Sequence, residues 1–350
     1  MGSGADAMTG EIAEATTPSA GSGVTRPMPH FELGLSENPF PPLPSVLAAL
    51  YEQMAQANRY PEFLPQRLPR IIADRVGVDP EQVVVGSGAT GVAMQIMQAV
   101  LRSGETMVFA NPTFDGYPIM ADMLGVEAVA VPLDHGGRQD LCAMGEAVDD
   151  RTGLVVVCRP HNPTGTLVSA ADLEVFLSSI PPQVVVILDE AYVEFIDAAD
   201  AVDVLGLIRR YPNILVLRTF SKAFGLAGLR IGYAFGGREL VARVRRRQLP
   251  FGMSCAAVAA VTASYAAEDE LQARVARITA ERELLWVALR QNGVHVPRSH
   301  ANFLYLNGSR IAPALQRAGI VAKPYADGSA RIAVGDPAAG RAVLRALQAI

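Results

Sequence analysis

The sequence predicts an α/β fold in which helices cover both faces of a mostly parallel sheet, followed by a smaller α+β unit. Seven short apolar runs rich in β-branched residues recur between residues 83 and 234, and amphipathic stretches such as 170–180 separate most of them. Continuous apolar strands that alternate with helices are typical of a parallel sheet buried on both faces. The predicted strands are 83–85, 107–109, 129–133, 154–157, 184–188, 214–217 and 231–234.

The pattern along the chain predicts four segments. A stretch rich in Gly, Ala, Ser and Thr without periodicity predicts a disordered tail, and the proline-rich stretch after it predicts an extended arm. The alternating strands and helices form a large domain, and the pattern changes after Phe251-Gly-Met-Ser. The segments are therefore the tail 1–25, the arm 26–46, the large domain 47–254 and the small domain 255–350.

The small domain opens with one long predicted helix over residues 256–291, with an interruption near Glu268. Charged residues are dense from Glu268 to Arg282, which indicates an exposed helix face. The pattern then predicts a strand at 302–306, a helix at 311–317 and a strand at 330–334.

The composition argues against a nucleic-acid or membrane partner. The 350 residues carry a net charge of −5 at pH 7, so no basic field exists to hold nucleic acid. No apolar run reaches membrane-spanning length and no signal-peptide core is present, so we expect neither a membrane span nor a secretion signal. The three cysteines and five histidines lack metal-ligand spacing. We therefore expect no metal site and a location in the reducing cytoplasm.

Of all residues in the sequence, Lys222 indicates a type of reaction most directly. It follows the apolar run at 214–217, which predicts a buried strand. An amine at the end of such a strand is desolvated, which lowers its pKa and favours Schiff-base formation with an aldehyde. Ser221 and Arg230 lie close enough in sequence to face a phosphate, and an amine together with a phosphate site suggests pyridoxal phosphate. Taken alone, Lys222 is better explained as a surface lysine after a core strand.

A glycine-rich turn supplies a second candidate for phosphate binding. Gly86-Ser-Gly-Ala-Thr-Gly follows the strand at 83–85 and opens a predicted helix at 92–101, with Thr90 expected as its N-cap. Glycines let the backbone approach an anion, and the free N–H groups and dipole of a helix N-terminus favour phosphate. A simple tight turn between strand and helix explains these glycines about as well.

Four further side chains follow predicted strands. Asp189 ends the run at 184–188, where a carboxylate needs a partner such as a pyridinium N–H. Tyr192 is placed to reach the same ring, Asn162 to donate to its phenolic oxygen, and Phe114 to stack on its face. Each also has an ordinary explanation as a cap, a turn residue or a core aromatic. Because ligands of parallel sheets bind at the carboxyl ends of the strands, the set together favours a cofactor site.

Seven motifs in one chain order carry a family resemblance. They are Ser36-Glu-Asn-Pro-Phe, Asn58-Arg-Tyr-Pro, Gly86-Ser-Gly-Ala-Thr, Pro112-Thr-Phe, Arg159-Pro-His-Asn-Pro-Thr-Gly, Asp189-Glu-Ala-Tyr and Ser221-Lys-Ala-Phe-Gly-Leu-Ala-Gly-Leu-Arg. By these motifs residues 32–350 resemble the fold-type I, pyridoxal-phosphate-dependent aminotransferases of the histidinol-phosphate and aromatic amino acid branch. The set is highly specific for that family.

The resemblance implies a role for each motif residue. Lys222 would form the covalent link to the cofactor and serve as general base and acid, and Asp189 would pair the pyridine nitrogen. Tyr192 and Asn162 would bind the ring oxygen. Tyr60 would reach the phosphate in the other subunit of a homodimer. The remaining residues are Gly88, Ala89, Thr90, Ser221 and Arg230 for the phosphate, Phe114 for stacking, and Glu37, Asn38, Lys323 and Arg331 for the substrate, with Arg331 binding its carboxylate.

The implied reaction is a two-stage exchange between an amino acid and 2-oxoglutarate, with ping-pong kinetics. Several departures from the family concern the substrate. Thr90-Gly91 stand where many members carry Asp-Glu, Ser36 stands where an asparagine is usual, and the arm is short. Lys323 replaces an arginine expected to help bind a substrate phosphate, and a lysine lacks the planar fork of an arginine. The local sequence Leu249-Pro-Phe-Gly resembles that of family members that act on aromatic amino acids. Together these features favour an aromatic donor of the phenylalanine type.

Other functions remain open at this point. Histidinol-phosphate aminotransfer is the first alternative, and decarboxylation of an O-phospho amino acid on the same scaffold is the second. A dimeric binding or regulatory module would leave Lys222, Asp189 and Asn162 without a use. A nicotinamide dehydrogenase would leave Lys222 idle, and the glycine pattern at 86–91 is incomplete for it.

Overall fold

A computed structural model describes residues 30–348. The predicted tail, residues 1–25, and the first residues of the predicted arm lie outside this range. Among the described residues, no helix has both the length and the apolar character needed to cross a membrane.

Strands and helices alternate through the large part of the chain, as the sequence predicts. The strands are β1 (Phe31–Glu32), β2 (Val83–Ser87), β3 (Thr106–Asn111), β4 (Glu127–Pro132), β5 (Thr152–Cys158), β6 (Val185–Asp189), β7 (Ile214–Thr219), β8 (Ile231–Gly236), β9 (Phe303–Leu306), β10 (Ile320–Val321), β11 (Lys323–Pro324) and β12 (Ala330–Ala333). The helices are α1 (Pro44–Met54), α2 (Arg67–Val76), α3 (Gly88–Val100), α4 (Gly116–Leu124), α5 (Leu141–Glu146), α6 (Ala170–Ser179), α7 (Val204–Arg210), α8 (Arg238–Arg245), α9 (Cys255–Ala266), α10 (Glu268–Gln291), α11 (Ile311–Arg317) and α12 (Pro337–Leu347).

The large sheet has seven strands in the order β2-β8-β7-β6-β5-β3-β4. The strands β3 to β7 pair in parallel, and β8 runs antiparallel to both of its neighbours. In β6, Val186 and Leu188 belong to the apolar core on one face, and Val185 and Ile187 to the core on the other. Burial on both faces explains why these strands read as continuous apolar runs. The predicted mostly parallel, seven-stranded α/β sheet is confirmed.

The smaller unit is built on a three-stranded antiparallel sheet of order β11-β12-β9. Its core is separate from the two cores of the large sheet and includes Leu289, Leu304, Ile332 and Val343. The arm joins this unit, because β1 pairs in parallel with β10.

The long predicted helix is two helices, α9 and α10, which meet at Ala267. This confirms the interruption predicted near Glu268. Helix α9 packs against α1 and α2, and its buried Ala257, Ala260 and Val261 belong to a core of the large sheet. The division of the chain at residue 254 stays a prediction.

The exposed face predicted for the charged part of α10 is wrong at Arg282. Its guanidinium is buried, where it donates to the carbonyl oxygen of Ala301 at 3.1 Å and pairs with Glu283 at 2.9 Å. A buried charge is tolerated where it has both an ionic partner and an acceptor. Charge density along the sequence does not reveal such partners.

Candidate active site

The carboxyl ends of the parallel strands meet a cavity of about 520 Å³. Register explains the convergence, because Asp189 at the end of β6 lies between Cys158 of β5 and Leu217 of β7. The loops that follow β3, β5 and β7 therefore open on the same edge of the sheet. Residues of the arm and of the small sheet close the other side of the cavity.

Most of the side chains predicted from the sequence line this one cavity. They are Glu37, Ala89, Thr90, Phe114, Asn162, Asp189, Tyr192, Ser221, Lys222, Arg230, Lys323 and Arg331. They come from segments up to several hundred residues apart in the chain, so their meeting is a property of the fold. Their individual roles stay predictions.

Three predicted residues do not line the cavity. Asn38 donates from its side chain to the carbonyl oxygens of Lys222 and Ala223, both at 3.0 Å, so it fixes the lysine backbone. Gly88 lies under the Arg230 guanidinium. Tyr60 is 84% exposed and packs against Phe251 with 4.9 Å between ring centroids. In this chain, Tyr60 is presented outwards and not into the cavity of the same subunit.

The Lys222 amine has a pKa lowered to about 8, chiefly because the side chain is removed from solvent and next because Arg331 and Arg230 repel its positive charge. It donates to the carbonyl oxygens of Ser36 at 3.2 Å and Leu35 at 3.4 Å. The arm therefore holds the amine in place. A lysine with a lowered pKa is a better nucleophile and proton acceptor near neutral pH than an exposed one.

The Asp189 carboxylate is buried and held on both oxygens. Tyr117 donates to Oδ2 at 2.6 Å, and the backbone N–H of Ala191 donates to Oδ1 at 3.0 Å. Burial raises the pKa of Asp189, and these two hydrogen bonds oppose that rise. Tyr117 is itself fully buried, and burial together with the nearby Asp189 raises the pKa of its hydroxyl. The tyrosine therefore remains a donor to the carboxylate.

The end of the cavity at the first turn of α3 depends on close approach between backbones and the Arg230 side chain. A Cβ added at Gly88 would lie 2.3 Å from Nη2 of Arg230, and one added at Gly232 would lie 2.2 Å from the backbone nitrogen of Ala89. Only glycine allows these approaches, so Arg230 sits directly over the first turn of α3. The leading N–H groups of a helix have no partner within the helix. A cation and free N–H groups together suit a phosphate.

The prediction that Thr90 caps α3 is wrong. The helix begins at Gly88, four residues before the predicted start at residue 92, with Ser87 as the N-cap residue. Thr90 therefore lies within the first turn, where it lines the cavity. The glycine at position 88 adopts φ +71°, a conformation that lets the helix start directly at the end of β2.

Arg331 is buried where the small sheet closes the cavity. Its Nη1 donates to Oδ1 of Asn162 at 2.5 Å, and its Nη2 donates to the carbonyl oxygen of Gly34 at 2.7 Å. Its Nε is buried without a partner among the described residues. Asn162 in turn donates to the hydroxyl of Tyr192 at 3.5 Å. A buried guanidinium with neutral acceptors and a free donor has capacity for a carboxylate.

The loop that presents Asn162 is fixed by its own side chains. Arg159 is buried and donates from Nε to the carbonyl oxygen of Val168 at 3.0 Å. His161 pairs through Nδ1 with the hydroxyl of Thr164 at 2.9 Å, and burial lowers its pKa to about 3, so the ring stays neutral. These contacts hold the loop rigid, and a rigid loop gives Asn162 a defined position.

Sequence reasoning did not assign a role to Tyr117, Asp115 or Tyr325. Tyr117 and Asp115 lie in the same stretch as Phe114, which packs edge-to-face on Tyr117 with centroids 5.8 Å apart. Asp115 and Tyr325 line the cavity.

We predict that Lys222 reacts as an amine with a pKa near 8. The chain contains one other lysine, Lys323, which serves as an internal reference. In protein stripped of bound aldehydes, the rate of reductive methylation at Lys222 should rise with pH through a midpoint near 8, because only the unprotonated amine reacts. Mass spectrometry of the two lysine peptides measures both rates.

Replacement of Arg331 by methionine should raise that midpoint, because it removes a positive charge that disfavours the ammonium. Arg341→Met, at an exposed position on α12, is the matched control. A midpoint in the wild type close to that of an ordinary lysine, about 10.4, would contradict the assignment.

Comparison with known proteins agrees with this geometry. Residues 29–347 match the family described as aminotransferase class I and II. The aromatic amino acid aminotransferase of Streptomyces avermitilis is 43% identical over 310 residues, which cover 87% of this chain and 86% of that protein. The enzyme of the same name from Rhodococcus opacus is 44% identical over 310 residues, with 87% and 86% covered.

A solved structure with pyridoxal phosphate has the same fold. Histidinol-phosphate aminotransferase from Sinorhizobium meliloti, in complex with pyridoxal-5'-phosphate, is 28% identical with a TM-score of 0.84, covering 91% of this chain and 90% of that one. The fold, the aminotransferase assignment and the pyridoxal phosphate cofactor predicted from the sequence are confirmed. The chain belongs to the class I and II aminotransferase family.

Proposed function

We propose that this enzyme transfers the amino group of an aromatic amino acid of the phenylalanine type to a 2-oxo acid, 2-oxoglutarate. The observation that carries the proposal is the single cavity that contains the Lys222 amine, the Asp189 carboxylate and the buried Arg331 guanidinium. The names of the two relatives with 43 and 44% identity support an aromatic donor. The cavity wall includes Leu35, Phe114 and Tyr325, which suits an aromatic side chain.

The residues present fit pyridoxal phosphate. The first turn of α3, with Gly88, Ala89 and Thr90, would hold the phosphate together with Ser221 and Arg230. Asp189 would accept the pyridine N–H, and Asn162 with Tyr192 would hold the ring oxygen. Phe114 would stack on the ring, and Gly116 makes room for it, since a Cβ there would lie 2.3 Å from its ring.

When bound, the cofactor supplies an aldehyde to receive the amine and a ring that withdraws electrons from the substrate α-carbon. Lys222 then takes the α-proton as a base and returns it as an acid, and its pKa of about 8 suits both tasks near neutral pH. Its carbonyl partners in the arm keep the amine oriented between the two tasks.

Arg331 would bind the substrate carboxylate. Its charge is buried beside the neutral acceptors Asn162 and Gly34 and has no carboxylate partner in the described chain. A buried cation is strongly stabilised by an anion, so an α-carboxylate that displaces the Gly34 contact would improve its pairing. Glu37 lines the same cavity, and the predicted substrate contact of Asn38 would require its side chain to leave the lysine backbone.

We also propose a homodimer in the cytoplasm, with each site completed by Tyr60 of the partner subunit. Tyr60 is 84% exposed, and the neighbouring Phe63 and Leu249 are 60% and 71% exposed. A cluster of large exposed apolar side chains is typical of a protein interface. The three cysteines are free thiols, which agrees with a reducing compartment.

The role of Asp189 predicts an effect of Tyr117→Phe. The change removes one hydrogen bond to the carboxylate, so the Asp189 pKa rises. A smaller fraction of the carboxyl group is then ionised and able to accept the pyridine N–H. We expect the dissociation constant for pyridoxal phosphate to rise about tenfold, since a hydrogen bond to a charged group contributes about 1.5–3 kcal/mol. Fluorescence titration of the apoenzyme measures this.

The matched control is Tyr211→Phe, which removes a hydroxyl that donates to Glu174 at 3.2 Å and is not part of the cavity. In an Asp189→Asn background, Tyr117→Phe should have a much smaller effect, because the two residues act through one contact. Full additivity of the two changes would refute the role given to Tyr117.

The donor proposal predicts that phenylalanine is used with a kcat/KM about tenfold or more above that of histidinol phosphate, with 2-oxoglutarate as acceptor. Lys222→Ala should reduce transamination by roughly a thousandfold, because it removes the general acid and base. Steady-state kinetics with phenylalanine, tyrosine and histidinol phosphate measure both. Preference for histidinol phosphate would identify the alternative donor, and release of carbon dioxide without a keto acid would identify a decarboxylase.

The shared site predicts complementation between two impaired chains. Tyr60→Ala should weaken cofactor binding about tenfold through one lost contact to the phosphate. When mixed with Lys222→Ala chains at limiting cofactor, it should regain activity, because one site of each heterodimer has both residues. Tyr60→Ala mixed with the Lys222→Ala/Tyr60→Ala double variant is the control, because Lys222 is present there but no site contains Tyr60. Equal activity in both mixtures would exclude the shared site.

A further inference from the structure

The chain uses lysine at two positions only, 222 and 323, although it contains 30 lysines and arginines in total. Both lysines line the same cavity. The other members of this set of 30 residues are all arginines. A lysine presents a compact charge with one flexible stem, whereas an arginine presents a rigid fork. Because Lys323 lines the cavity proposed to bind the substrate, its charge is expected to influence which substrates bind.

Lys323 lies directly beside the proposed carboxylate-binding arginine. Strand β11 pairs antiparallel with β12, and in their register Lys323 is opposite Arg331. Residues opposite each other in an antiparallel pair send their side chains to the same face of the sheet. A substrate with its carboxylate on Arg331 thus extends its side chain into a region that includes the Lys323 ammonium.

That ammonium forms an ion pair with Asp115. Asp115 directly precedes α4 and follows Phe114, so it belongs to the large sheet side of the cavity, whereas Lys323 belongs to the small sheet. Both residues line the cavity. Without Asp115, the region would contain two adjacent cations, Arg331 and Lys323, and would attract an anionic substrate side chain. With Asp115, one of the two charges is cancelled.

We propose that Asp115 is a specificity-determining residue that neutralises Lys323 and so selects amino donors with an uncharged side chain over donors with a phosphate. The inference rests on the proposed function, since it concerns the donor of the same site. A phosphate that approaches Lys323 must either displace Asp115 or lie beside its carboxylate, and like charges in contact repel. An aromatic ring meets a neutral ion pair and the apolar side chains of Leu35 and Tyr325.

The test is a double-mutant cycle on the intact holoenzyme with Asp115→Asn, Lys323→Met and the two combined. The measured quantity is the ratio of kcat/KM for O-phosphoserine, which has a carboxylate and a side-chain phosphate, to kcat/KM for phenylalanine. Asp115→Asn should raise this ratio about five- to tenfold, which corresponds to the interaction of one partly solvated charge pair. In the double variant the rise should disappear, because no free ammonium remains.

Binding of unreactive ligands provides a readout that does not depend on catalysis. By titration calorimetry, Asp115→Asn should tighten binding of 3-phosphonopropionate by a similar factor of about five to ten and leave 3-phenylpropionate unchanged. Asp122→Asn is the matched control, because Asp122 is exposed on α4, carries the same charge and does not line the cavity. Asp122→Asn should change neither the kcat/KM ratio nor the binding of either ligand.

The proposal is overturned if Asp115→Asn leaves the ratio at the wild-type value, or if the double variant shows the same rise as Asp115→Asn alone. These outcomes are separate from failure of the proposed function. A wild type that prefers histidinol phosphate over phenylalanine would refute the aromatic donor, whereas the response of the ratio to Asp115→Asn tests the ion pair for either donor.

Discussion

The structure depends on one geometric constraint, the alignment of parallel strand ends at a single edge of the large sheet. The register that pairs Cys158 with Asp189 and Asp189 with Leu217 brings the following loops together. Because those loops carry Asn162 and Lys222, the reactive groups meet without any close relation in sequence. Burial of both faces of the strands fixes this register, since a slip of one residue would turn apolar side chains towards the wrong core.

The same edge sets the electrostatics of the site. Burial disfavours the charged forms of both Lys222 and Asp189, so it lowers the pKa of the amine and raises that of the carboxyl. Neighbouring groups then act in opposite directions on these two burial effects. Arg331 and Arg230 add to the effect on Lys222, whereas Tyr117 opposes the effect on Asp189. The outcome is an amine available near neutral pH beside a carboxylate that is kept as an acceptor.

The arm and the small sheet complete what the large sheet begins. The arm pairs with β10 through β1, and its carbonyl groups at Leu35 and Ser36 then accept hydrogen bonds from Lys222. The small sheet supplies Arg331 and Lys323 from adjacent strands. The proposed chemistry is therefore positioned by the large sheet, whereas the proposed choice of substrate is made by residues that face it across the cavity.

The sequence by itself determined the α/β fold, the strand positions and most of the cavity residues, because apolar periodicity and motifs at strand ends are local signals. It did not determine the start of α3 at Gly88, which depends on the approach of Gly232, or the burial of Arg282, which depends on Ala301. Only the tertiary structure decided three contacts. Tyr117 donates to the Asp189 carboxylate, Asn38 donates to the Lys222 carbonyl oxygen, and Asp115 pairs with Lys323. Each of these joins residues distant in sequence, and such contacts arise from packing and register, which no local pattern encodes.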